Sequence, residues 1–122
     1  VVHVQHVPAG EGIGYGSTYV TPEPMTIATI PVGYADGYPR SLSNRGTVLI
    51  HGTRCPVVGR ICMDQFMVAV PDTITVQPGD KVVLLGSQGH ESISALEIAA
   101  LASTIPYEIF CGFSERVPRQ YI

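Results

Sequence analysis

The sequence predicts a mainly β fold, a small Greek-key-like β-barrel/sandwich domain with one short α-helix near residues 94–104. Short runs rich in β-branched residues recur between Gly, Pro and Asp turns. A single helix-start pattern, Ser94-Ala95-Leu96-Glu97, interrupts them. The 122 residues, 45% hydrophobic and only 14% charged, suit one domain around one core.

Strands are expected at residues 1–7, 17–20, 26–32, 47–50, 54–58, 65–70 and 81–85. Val7-Pro8-Ala9-Gly10-Glu11 and Val76-Gln77-Pro78-Gly79-Asp80 read as turns, and His51-Gly52 suits a tight hairpin between Ile50 and Thr53. At the helix start the Ser94 oxygen and the Glu97 carboxylate are each expected to satisfy a free backbone N–H, with Ile93 and Ile98 as a hydrophobic staple. Leu96, Ala99, Ala100 and Ser103 then recur at helical steps until Pro106 prevents continuation. Residues 107–113 read as a last strand and Arg116-Val117-Pro118-Arg119 as a basic terminal turn. No boundary divides residues 1–122.

Ten acidic against seven basic side chains, with no Lys/Arg cluster, give phosphate backbones or an anionic membrane little to bind. No uncharged stretch reaches the roughly 18 apolar residues of a membrane-spanning helix, and Val1-Val2-His3-Val4 lacks the basic start of a signal peptide, which gives a cytoplasmic reading. Cys55, Cys62 and Cys111 lie in or beside apolar segments and are expected as buried free thiols. The charged fraction falls well below the roughly 25% of ordinary soluble domains, so part of the surface is expected to meet something apolar. A chain that opens on Val1 inside a strand pattern is expected to be a piece of a longer protein.

Gly10-Glu11-Gly12-Ile13-Gly14-Tyr15-Gly16 is the most unusual local sequence. It does not fit a dinucleotide loop, because Ser17-Thr18-Tyr19-Val20 is β-prone and Pro22 and Pro24 block the helix such a loop must open. Its glycines let the backbone bend and approach another surface, leaving Tyr15 either reachable by substrate or an aromatic plug over a strand end. Gly33-Tyr34-Ala35-Asp36-Gly37-Tyr38-Pro39-Arg40 suits a polar pocket wall, although Asp36-Gly37 is also a common turn pair. Arg60 and Asp64 flank Ile61-Cys62-Met63 and are open to a simple salt bridge. His51, Cys55 and Cys62 lack a fourth ligand and the paired spacings of a zinc site. Lys81, the lone lysine, sits beside a Pro-Gly-Asp turn and is no convincing Schiff-base lysine.

Gly14-Tyr15-Gly16-Ser17-Thr18-Tyr19, Ile30-Pro31-Val32-Gly33-Tyr34-Ala35-Asp36-Gly37 and Val58-Gly59-Arg60-Ile61-Cys62-Met63-Asp64-Gln65 together resemble the C-terminal β-domain of alanine racemase. The resemblance continues through Pro78-Gly79-Asp80, the capped helix, Tyr107-Glu108 and Arg116-Val117-Pro118-Arg119. It implies a homodimeric isomerase that interconverts L- and D-alanine for cell-wall peptidoglycan, with pyridoxal 5'-phosphate held as a Schiff base by an N-terminal (β/α)₈ barrel that this chain lacks. It also implies partners in the barrel domains of the same chain and of the other subunit, and no activity for this piece alone.

In the implied two-base mechanism the cofactor withdraws electrons from Cα, a barrel lysine works on one face, and Tyr15 works on the other across the dimer interface. Tyr34 matches the tyrosine at the channel mouth, and Met63 the residue whose backbone N–H points at the substrate carboxylate. Tyr107 matches the tyrosine that hydrogen-bonds the cofactor phosphate, while Arg40, Arg60, Asp64 and Ile105 match positions lining or supporting the outer channel. The Tyr15 loop itself offers only Glu11 and Glu23, so a positive group to activate the phenol is expected from the other chain's barrel. Serine racemase of the same fold, or a non-catalytic β-barrel binding or oligomerisation module, are the alternative readings.

Overall fold

The structure, a computed structural model, describes residues 1–106 and 109, and Tyr15 by its backbone. The elements are β1 (His3–Val7), β2 (Gly12–Ile13), β3 (Tyr19–Val20), β4 (Met25–Ile30), β5 (Thr47–Ile50), β6 (Thr53–Val58), β7 (Phe66–Val70), β8 (Val82–Val83), β9 (Gly86–Gln88), β10 (Glu91–Ile93) and α1 (Ala95–Ala102). Six strands form an antiparallel sheet in the order β1-β4-β7-β6-β5-β8. Because β5, β6 and β7 follow one another and β4 returns beside β7, the topology is a Greek key.

The sheet curls because β6 changes partner midway. Its Thr53 to Pro56 half pairs with β5, whereas Val57 and Val58 pair with Val68 and Met67 of β7. The β5–β6 hairpin turns on His51 and Gly52, both at positive φ (53° and 70°), which matches the right-handed twist of the strands it joins.

Strand alternation decides which core each residue enters. Ala28 and Ile30 of β4 join Phe66, Val68 and Val70 of β7 in the main core. Ile27 and Ala69 face the other way, where Ile13 and Tyr19 of the β2–β3 hairpin cover them with Val7 and Val58. The hairpin is thus a cover on the second face of the sheet, and its tip is the 14–18 turn. Its base is knotted by Thr21, whose buried hydroxyl accepts from the Glu11 N–H (2.9 Å) and donates to the Pro8 carbonyl (2.7 Å).

Helix α1 starts as expected, with the Ser94 hydroxyl accepting the Glu97 N–H at 3.0 Å and Ile93 and Ile98 both buried. The reciprocal half of the box is absent: the Glu97 carboxylate turns to Arg54, a stronger charged donor than a backbone N–H. The buried face is Ile98 and Ala99, so Leu96 is 68% exposed and Ala100 is also exposed. Pro106 and Ile109 are helical, which contradicts a strand at Ile109; proline's fixed φ opens a helical turn more readily than it continues a strand. The rest of 107–113, including Tyr107 and Cys111, and the 116–119 turn lie outside the described residues.

Cys55 is buried and free, and burial pushes its thiol up to about 11; Cys62 is free and half-buried. Among the described residues, no helix is long and apolar enough to cross a membrane.

Candidate functional site

Three loops far apart in sequence are drawn together at one edge of the fold: the 14–18 turn, the 33–38 turn after β4, and the 59–65 connection between β6 and β7. The last two are stitched by backbone hydrogen bonds. The Tyr34 N–H donates to the Cys62 carbonyl (3.1 Å) and the Ala35 N–H to the Met63 carbonyl (3.0 Å). At Gly33 the chains touch so closely that a Cβ would overlap the Cys62 and Met63 carbonyl oxygens, so a residue without a side chain is required. Asp36 is buried and accepts the Gly33 N–H at 3.0 Å, closing the turn on itself.

The 33–40 segment therefore serves two purposes. Asp36 and Tyr38 point inward; Tyr38 stacks on Phe66 with ring centroids 4.8 Å apart and planes 9° from parallel. Burial, with the Glu97 charge adding to it, holds the Tyr38 phenol proton well above its ordinary pKa, so Tyr38 is a packing residue. Tyr34 and Arg40 point outward. Tyr34 is 47% exposed and the Arg40 guanidinium lies 5.9 Å from its ring centroid, at the outer limit of a cation–π contact.

The 14–18 turn reaches the same place by a glycine-to-glycine approach. Gly59, at φ +81°, lies so close to β2 that a Cβ would stand 2.7 Å from the Ile13 carbonyl oxygen. Backbone 15–17 forms a 3-10 turn in which Tyr15 sits between Gly14 and Gly16. The Arg60 guanidinium lies over Gly16, where a Cβ would be 3.3 Å from its Nη1. A cation thus stands beside the Tyr15 turn from this chain's own 59–65 loop, a partner that inspection of the 10–23 segment alone misses.

Met63 is 54% exposed, and among the described residues its backbone N–H has no acceptor. Asp64 is exposed in the same loop. Arg60 and Asp64 do not form the salt bridge that their spacing left open; among the described residues the ion pairs are His51–Asp80, Arg54–Glu91 and Arg54–Glu97. Ile105 is 61% exposed on the segment after α1. Tyr107 lies outside the described residues. A cleft of about 400 Å³ beside the hairpin is lined by His3, Gln5, Glu11, Ile13, Gln65 and Met67 among others; it takes in part of the glycine-rich run but none of Tyr15, Tyr34, Arg40, Arg60, Met63, Asp64 and Ile105.

Sequence reasoning missed the joints. Asn44 donates from Nδ2 to the Thr18 hydroxyl (3.1 Å) and accepts the Gly59 N–H at Oδ1 (2.6 Å), while the Ser43 hydroxyl accepts the Ile61 N–H (2.9 Å). Their signal was a polar turn, Ser43-Asn44-Arg45-Gly46, which looks like any other. Lys81 is exposed just ahead of β8, and among the described residues no cluster of His, Cys, Asp and Glu is grouped to hold a metal ion. This chain therefore offers no enclosed lysine to anchor a carbonyl cofactor covalently. What the three loops and adjoining Arg40 offer is an outward-facing tyrosine, a backbone N–H and two cations that have no acceptor or carboxylate partner among the described residues, and a turn that carries Tyr15.

Residues 1–121 match the model of the alanine racemase C-terminal domain. An alanine racemase of Symbiobacterium thermophilum is 62% identical over 118 residues, which are 97% of this chain and 31% of that protein. The crystal structure of alanine racemase from Bacillus anthracis with bound L-Ala-P superposes with a TM-score of 0.94 at 48% identity, covering 100% of this chain and 31% of that one. The Bartonella henselae alanine racemase with covalently bound pyridoxal phosphate gives 0.92 at 40% identity, covering 100% and 33%. The chain thus spans about a third of the length of these relatives. It belongs to the alanine racemase C-terminal domain family.

Proposed function

We propose that residues 1–122 are the single C-terminal β-domain of a cytoplasmic, homodimeric, pyridoxal-phosphate-dependent alanine racemase that supplies D-alanine for peptidoglycan. A preceding (β/α)₈ barrel would hold the cofactor, in keeping with the share of the relatives that this chain leaves uncovered and with the absence of an enclosed lysine among the described residues. The observation that carries the reading is the convergence of the 14–18, 33–38 and 59–65 loops, which puts matched motif residues on one outward surface. Such a surface needs a second body to become a site, so the piece alone is expected to be inactive.

When bound, pyridoxal phosphate supplies an electron sink that acidifies the substrate's α C–H. Tyr15 then takes the α-proton of L-alanine, or returns one to that face, in the other subunit's site. A phenol with a pKa of about 10 is a weak base at neutral pH, and a cation beside it favours its anion. The Arg60 guanidinium over Gly16 supplies positive potential at the turn from the same chain. The Met63 N–H, which has no acceptor among the described residues, holds a substrate carboxylate oxygen, and Tyr34 narrows the channel mouth. Arg40, Arg60, Asp64 and Ile105 line or support its outer part, and Tyr107 binds the cofactor phosphate.

The test is α-proton exchange from L- and D-alanine in deuterated water by the full-length protein and its Tyr15→Phe variant, both first checked for bound pyridoxal phosphate. Exchange from L-alanine is expected to fall at least about 100-fold, with exchange from D-alanine largely kept. Unchanged exchange from both enantiomers would remove Tyr15 from the chemistry. Faster exchange from serine than from alanine in the same assay would move the substrate to the hydroxymethyl amino acid.

A further inference from the structure

We propose that Asn44 is a positioning residue for the Tyr15 turn, its carboxamide clamping that turn to the 59–65 loop. This rests on the racemase reading above. The 14–18 turn meets the 59–60 backbone through close glycine contacts, which resist approach but do not hold the segments in register. Among the described residues, the one hydrogen bond leaving the 14–18 turn for a residue outside its hairpin is the Asn44 Nδ2 to Thr18 Oγ1 contact at 3.1 Å. From the same carboxamide, Oδ1 accepts the Gly59 N–H at 2.6 Å. A donor and an acceptor on one rigid plane fix the separation of the two segments as well as their contact.

Asn44 is itself held for the task. It adopts φ +58°, a left-handed conformation that asparagine tolerates better than most residues. Its neighbour Ser43 accepts the Ile61 N–H and donates to the Arg40 carbonyl at 2.7 Å. Residues 43 and 44 therefore grip two alternate N–H groups of the 59–61 segment, and Asn44 alone extends the grip to the turn. The segments so joined carry the proposed proton-transfer group and the proposed carboxylate-binding N–H. A shift of the turn would alter one side of the site and leave the other in place.

That asymmetry gives the test, in the full-length holoenzyme. Asn44→Gly keeps the left-handed backbone and removes the clamp; Thr18→Val cuts only its far end; Asn44→Asp retains an acceptor for Gly59 and one for the Thr18 hydroxyl. Asn44→Gly and Thr18→Val are expected to slow α-proton exchange from L-alanine about tenfold with exchange from D-alanine within about twofold and KM little changed, and Asn44→Asp to recover most of the loss. Equal slowing of both enantiomers, or no slowing, in Thr18→Val overturns the clamp, even where Asn44→Gly proves too unstable to assay. Tyr15→Phe is run alongside. If it abolishes exchange from L-alanine while the clamp variants do not, only the role of Asn44 fails; if it leaves L-alanine exchange intact, the racemase role of Tyr15 fails first.

Discussion

Two regions of this molecule use their polar groups in opposite ways. Around the 33–38 and 59–65 loops the backbone is locked by N–H to carbonyl bonds and glycine contacts, while Tyr34, Met63, Arg60 and Asp64 face outward and form no ion pair among the described residues. Around Arg54 the side chains themselves are saturated. Its Nε donates to Glu91, its Nη1 to Glu97, and its Nη2 to Glu97 and the Ser92 carbonyl, tying β6, β10 and α1 together. The second region finishes its electrostatics inside the chain and is scaffold. The first is locked in backbone and, among the described residues, unfinished in side chains, which is what the proposed site, completed by another body, requires.

The largest expected effect tests whether backbone contact is what holds the first region. Gly33 has φ −145°, ordinary extended backbone, so Gly33→Ala introduces no conformational strain and acts only through overlap with the 62–63 carbonyls. We expect a loss of about 3 kcal/mol, near the top of the range for forced overpacking, read from the urea midpoint. Gly79 is the converse, with φ +96° and open space where its Cβ would stand. Gly79→Ala should cost only about 1 kcal/mol, through strain alone. Equal losses would mean that the stitched loops yield more easily than their contacts imply.

The scaffold region should be less sensitive. Arg54 is partly exposed, so screening limits each of its ion pairs, and the bidentate bond to Glu97 is the best-formed part. Arg54→Ala is expected to lower stability by about 1 kcal/mol, again by denaturant midpoint, with no change in the loop region. Arg54→Lys should recover little, because an ammonium cannot reproduce the planar fork. A loss as large as that of Gly33→Ala would make the ion network, and not the glycine-locked backbone, the more important support.

Legibility in the sequence followed the same division. The expected ends of strand β5 match those observed because β-branched Thr47 and three apolar residues precede His51-Gly52, whose turn sets the register of the hairpin. The helix start was legible from Ser94, but not the face it buries, since the cap does not specify helix rotation and Glu97 is drawn to Arg54. The strands β2, β9 and β10 escaped notice because Gly12, Ser87, Gln88, Glu91 and Ser92 carry no apolar alternation; these hairpins exist through pairing and tertiary contact. At the site, Tyr34 stands out in one motif and Arg60 and Met63 in another. Their joints, Asn44, Ser43 and Thr21, do not, because a short polar residue in a turn shows its partner only after the chain has folded.

The smallest effect expected is a pH dependence that belongs to the scaffold. The hydrogen bonds from Arg54 hold the Glu97 carboxyl below its ordinary value of 4.5, with the charge of Arg54 acting in the same direction and partial desolvation against it. A folded-state pKa lower than the unfolded one contributes stability that is present above the unfolded value and disappears as pH falls through the folded one. Glu97→Gln should therefore be less stable than the parent near pH 6, by a few tenths of a kcal/mol to about 1 kcal/mol, and the difference should shrink once pH falls below 4.5 and close as it passes through the lowered folded-state value. Asp80 is a second carboxylate of the same kind, lowered by the Gln77 N–H and by His51, so the parent's acid sensitivity should survive in part in Glu97→Gln and fall further when Asp80→Asn is added. Neither substitution lies in the three loops, and the loop residue that the Glu97 charge does act on, Tyr38, is a buried packing residue. A change in L-alanine exchange in either would show that the scaffold's charges reach the site, and the division between a finished region and an unfinished one would have to be abandoned.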